Sequence, residues 1–92
     1  LFHYNRDSQM TATINEMVQL LEHHHEFEWA AKLQGALEAS PELTRTTLLR
    51  MFGGMGSLND LVLQTDMSRL VVDNNRFDQL RTELYSELQA SH

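Results

Sequence analysis

Three of the four glycines in this 92-residue chain fall within four positions, in the run Met51-Phe52-Gly53-Gly54-Met55-Gly56-Ser57-Leu58-Asn59-Asp60-Leu61-Val62-Leu63. Glycine reaches backbone angles that other residues avoid, at an entropic cost. Set between apolar anchors, Gly53, Gly54 and Gly56 predict a specific tight connection with a structural role, not a floppy linker. Helical periodicity stops on one side of the run and an apolar stretch resumes on the other, so the run marks where the chain turns. Gly53 is placed to end the preceding helix in a left-handed conformation.

Around that turn the pattern is helical. Residues 1–10 lack clear periodicity and read as irregular. Thr13-Ile14-Asn15-Glu16 fits a capping box, and Ile14, Met17, Val18 and Leu21 follow at helical spacing, which predicts a first helix over 12–24. A second, over 26–39, carries Trp29, Ala30, Leu33, Ala36 and Leu37 on one side. His23-His24-His25 is either the junction of these two or the middle of one long helix. Ser40-Pro41 is the clearest punctuation: Ser40 suits an N-cap and Pro41 the first helical turn. The third helix, 41–52, has Leu43, Thr47, Leu48, Met51 and Phe52 available for burial. Ser57-Leu58-Asn59-Asp60 resembles a second capping box and predicts a short helix at 58–63. The rival is a small hairpin near 61–72, pairing Leu61-Leu63 with Leu70-Val72. A last helix, 75–90, follows Asp73-Asn74-Asn75, with Phe77, Leu80, Leu84 and Leu88 as its stripe and Tyr85 beside it. The expected fold is mainly α: one domain over 1–92, a compact bundle of four to five helices.

Composition narrows the function classes. No cysteine is present, so a disulfide framework and a thiolate zinc site are excluded. That fits a reducing cytosol and is compatible with the periplasm. No apolar run approaches the ~20 residues that span a membrane. The chain opens Leu1-Phe2-His3-Tyr4 without Met, which is compatible with an upstream segment or a removed signal peptide. The net charge is −6, with one lysine and six arginines. Binding a phosphate backbone needs basic patches, so nucleic acid is not an expected partner. A basic protein surface is, because opposite potential speeds encounter. The plainer reading is that the charge only keeps the protein in solution.

Each chemical constellation has its plain alternative. Glu22-His23-His24-His25-Glu26-Phe27-Glu28 offers imidazoles and carboxylates, the ligands of zinc-like ions. Successive residues on a helix point about 100° apart, so three adjacent histidines do not converge there. HExxH spacing is absent, and an exposed polar helix end is the expected role; no metal site and no cofactor are predicted. No serine sits in a G-x-S-x-G elbow. The glycine run lacks the order and the lysine of a phosphate-binding loop. The chain therefore reads as a non-enzyme. Trp29 reads as core, with a partner anchor as the alternative. Asn59 and Asp60, beside glycines, read first as bonding nearby backbone and second as contacts for a partner.

The run Phe52–Leu63, with Trp29 upstream and Arg81-Thr82-Glu83-Leu84-Tyr85 downstream, resembles an uncharacterised family of small bacterial proteins across about residues 14–88. Where its members turn tightly between their first helices, this chain carries His23-His24-His25. The resemblance brings no activity with it. Small, acidic, stand-alone members are similar in kind to the immunity proteins that accompany secreted antibacterial toxins. The resulting expectation is an immunity protein that occludes the active site of a cognate toxin. An acidic face of Glu16, Glu22, Glu26 and Glu28 would approach the toxin, with Asn59 and Asp60 as further contacts. The alternative is a homo-oligomeric helical module with a regulatory or scaffolding role.

Overall fold

Ile14, Met17, Val18 and Leu21 sit where a 3.6-residue period makes one helical face, and all four are buried. They belong to α1, His3–His23. The structure, a computed structural model, describes residues 3–53, 57–64 and 67–90. It adds α2 (Phe27–Leu37), α3 (Pro41–Met51) and α4 (Leu70–Ala90), with single 3-10 turns at Leu58–Asp60 and Met67–Arg69. The described residues contain no strand, and the chain is an all-α protein of four helices.

α1 packs against both α2 and α4, and α3 closes the assembly against α2 and α4. The core takes Ala30, Leu33 and Ala36 from α2, Leu48 and Phe52 from α3 and its cap, and Phe77, Leu80, Leu84 and Leu88 from α4. Fully burying one such leucine contributes roughly 1.5–3 kcal/mol. Leu43, expected to be available for burial, is exposed, whereas Thr44 is buried. Thr44 lies one helical turn before Leu48 and shares its phase. Its hydroxyl donates to the Ala36 carbonyl at 2.6 Å, so the polar group is satisfied inside the α2–α3 corner. The two 21-residue helices, each about 31 Å long at 1.5 Å per residue, set the longest dimension of 42 Å.

Several helix ends differ from the sequence reading. α1 starts at His3, so residues 3–10 are helical and not irregular; no Gly or Pro between His3 and His23 interrupts it. Thr13 is thus mid-helix, and its hydroxyl bonds back to the Gln9 carbonyl at 3.0 Å instead of capping. α1 ends at the histidines: the His25 amide donates to Glu22 and the Glu26 amide to Leu21, the crossed pair of a Schellman turn. His25 takes φ 62° at the left-handed position. A tight turn therefore joins α1 to α2, with histidine in the place that glycine usually fills.

Ser40 occupies the N-cap before Pro41 but makes no side-chain capping bond. Gly53 has no positive φ; α3 is closed by 3-10-type bonds from the Phe52 and Gly53 amides to Leu49 and Arg50. Gly54 and Gly56 lie outside the described residues. Ser57 precedes the Leu58–Asp60 turn without a side-chain cap bond. That helix stops at Asp60, short of the expected 63, and α4 begins at Leu70, five residues early. Leu70-Val71-Val72 is thus a first helical turn and not a hairpin arm; Val71 and Val72 stand exposed on it.

Candidate functional site

Residues 57–64 form a strap laid along α4, and two α4 side chains hold it. Arg81 Nη1 donates to the carbonyls of Leu58 (2.8 Å), Asn59 (3.2 Å) and Leu61 (2.8 Å), and Nη2 to Asp78. One nitrogen with two hydrogens serves three acceptors, so these bonds are shared. The guanidinium lies 5.1 Å from the Phe77 ring centroid, and the Arg81 side chain is only 14% exposed. Further along, the Asn74 amide accepts from the Leu63 N–H (2.9 Å) and donates to the Leu63 carbonyl (3.0 Å). One side chain thereby plays the part of a neighbouring strand. With its backbone satisfied, the strap buries Leu58 and Leu63 completely. Asn59 donates to the Phe52 carbonyl at 3.3 Å, tying the strap to the end of α3. This is the local backbone role expected of it, and Asp60 beside it is exposed.

Two clefts open along this seam, and Asp78 and Arg81 border both. One, about 460 Å³, lies between Phe52 and Asn59 on one side and Thr82 and Tyr85 on the other. The second, about 430 Å³, lies between Val62 and the α4 residues Val71 and Asn75. On α4, positions 71, 75, 78, 82 and 85 recur at alternating steps of four and three and so share one face. The clefts therefore follow a single furrow roughly 21 Å long, at 1.5 Å per residue. Its walls expose apolar surface: Val62 is 53% exposed, Val71 74% and Tyr85 43%. The Tyr85 ring is braced edge-on against Phe52 at 5.2 Å. At mid-length the Asp78 side chain is 61% exposed, while Arg81 is taken up by the strap.

The glutamates proposed as a partner face are divided. Glu16 is bound by Arg76 through two contacts of 2.5 and 2.6 Å, joining α1 to α4. Arg76 holds its carboxyl below the usual carboxylate range. Glu22 and Glu28 are exposed and Glu26 is half-buried, around the α1–α2 turn. Trp29 is half-buried against the core, with Lys32 Nζ 4.6 Å over its ring.

The histidines do not act alike. His25 turns away and stacks on Phe27. His24 Nε2 donates to Asp73 Oδ2 at 2.8 Å, and the two side chains are 0% and 3% exposed. Arg69 also reaches Asp73, at 3.3 and 3.4 Å. The His24 hydrogen bond first and Arg69 second keep the Asp73 carboxyl below its ordinary range. His23, on the surface, brings a ring nitrogen into the same place; its ligand atom and those of His24 and Asp73 lie within 4.8 Å of one another. Sequence reading missed this pair. A signal for it was present: Asp73 stands one helical turn before Phe77, in phase with the buried stripe Phe77, Leu80, Leu84, Leu88.

No curated protein and no solved structure is significantly similar to the chain. A family model does match, over residues 22–71, from the last turn of α1 through α2, α3 and the strap to the start of α4. The match takes in Trp29 and the glycine run and stops before Arg81-Tyr85. It covers 50 of the 92 residues, more than half, and the chain belongs to the family described as Domain of unknown function (DUF6966).

Proposed function

We propose that this chain is an immunity protein that neutralises a cognate bacterial toxin by seating its α4 furrow over the toxin's active-site region. One surface supports this reading: the furrow exposes Val62, Val71 and Tyr85 on rigid elements, with the Asp78 carboxylate between them. Apolar anchors beside the Asp78–Arg81 ion pair suit a protein surface, and a net charge of −6 adds long-range attraction to a basic one. Glu22, Glu26 and Glu28 add negative charge around the α1–α2 turn, whose His24 meets the start of α4 at Asp73. The chain acts by binding, without a cofactor.

The test is co-expression with the product of the adjacent gene in a sensitive bacterium. The expected result is rescue, lost in a Val71→Asp/Tyr85→Ala variant that still folds by circular dichroism. Reversal of Glu22, Glu26 and Glu28 to Lys should slow association and flatten its salt dependence, because exposed charges are screened beyond about 8–10 Å. Failure of rescue by a folded, abundant chain overturns the proposal. A second reading, a homo-oligomeric scaffold, draws on the exposed Met67, Val71 and Val72. Sedimentation of a dimer that Val72→Glu converts to monomer, together with failed rescue, would favour it.

A further inference from the structure

We infer that His23, His24 and Asp73 bind a single divalent transition metal of the zinc type, clamping the end of α1 to the start of α4. Adjacent residues inside a helix diverge by about 100° and do not share an ion. Here the helix ends between them: His23 is the last residue of α1, and His24 already lies in the turn. Their rings approach edge to face at 5.1 Å, and the carboxylate that joins them comes from 49 residues downstream. The three ligand atoms fall within 4.8 Å of one another. Ligand atoms around a tetrahedral ion with bonds of about 2.0–2.1 Å stand roughly 3.3 Å apart. The His24–Asp73 contact of 2.8 Å has to open by only about half an ångström. His23, being exposed, can rotate inward.

Two imidazoles and one carboxylate select zinc, nickel or copper over magnesium or calcium. The buried pair supplies two ligands in a fixed place, and the exposed histidine gives a path of entry and leaves room for a water as fourth ligand. For the ion to bind at Nε2, the hydrogen that His24 now gives to Asp73 moves to Nδ1, so the imidazole ligates as its other tautomer. Arg69 has two opposed effects: it orients the carboxylate, and its charge repels a dication. Its side chain is 57% exposed and can leave when the ion arrives.

Zinc alone is the probe, titrated into the full chain by calorimetry. The expected result is saturable one-to-one binding and a thermal midpoint several degrees higher. His23→Ala, a surface change, should weaken binding at least about tenfold while the fold is retained. His25→Ala should leave it unchanged. Arg69→Gln should tighten binding, an effect that a merely structural His24–Asp73 pair does not produce. Non-saturable binding, equal losses in the His23 and His25 variants, or indifference to Arg69→Gln would overturn the inference.

Discussion

At the scale of the residue, His25 carries a conformational cost that nothing in its chemistry announces. A side chain in the left-handed region costs roughly 1–2 kcal/mol, which glycine avoids, though glycine loses more entropy on folding. The balance favours glycine at φ 62°. His25→Gly should therefore raise stability by about 0.5–1 kcal/mol in urea melts, with no change in slope. The neighbouring expectation for Gly53 is reversed by the structure. Among the described residues a Cβ there would meet only the Arg50 carbonyl, at 3.9 Å, and no left-handed angle has to be kept. Gly53→Ala should fall within about 0.5 kcal/mol of the parent. Glycine was the legible sign of a turn, but among the described residues it is a histidine that takes the left-handed conformation.

At the scale of the element, the strap is held by side chains where a sheet would use backbone. Arg81→Lys keeps the charge and loses the fork that reaches three carbonyls and Asp78. It should cost about 2–3 kcal/mol and speed hydrogen exchange at the Leu63 amide more than at Leu33 in α2. Equal acceleration at both sites would mean that the strap has no separate opening. The helical stripes were legible because a 3.6-residue period repeats over several turns and leaves Ile14 to Leu21 or Phe77 to Leu88 on one face. The ends were not. The Thr13–Glu16 pattern imitates a helix start while the helix is already under way, and Glu16 is instead engaged by Arg76, 60 residues on. The partly β-branched run Leu70-Val71-Val72 imitates a strand because its exposed side is apolar. The furrow was invisible for a related reason: Asn59 and Asp60 were legible as neighbours of a turn, but Arg81 and Asn74 reach the strap from 11 to 23 residues away.

At the scale of the whole molecule, the acidic excess acts on stability in both directions. Glu16 has its carboxyl lowered by Arg76, so its contribution is present above the ordinary glutamate range and is lost as pH falls through its folded value. Glu87 is the reverse case. Burial first, and the charge of Glu83 one turn away second, push its carboxyl up. Its buried oxygens have no hydrogen-bond partner among the described residues. The folded state then holds the proton at pH values where the unfolded chain has released it. The penalty is absent below the unfolded value and complete above the folded one. Glu87→Gln should thus stabilise the protein by about 1 kcal/mol at pH 7 and lose that advantage below about pH 4; a constant difference across a pH series of thermal melts would refute the assignment. The packing of α1 against α4 carries a consequence for synthesis. α1 is synthesised before α4, and its stripe of Ile14, Met17, Val18 and Leu21 shares one core cluster with Leu80, Leu84 and Leu88. A nascent chain halted before Leu80 can pack α1 only against α2, and the side of the stripe that α4 covers stays open to solvent.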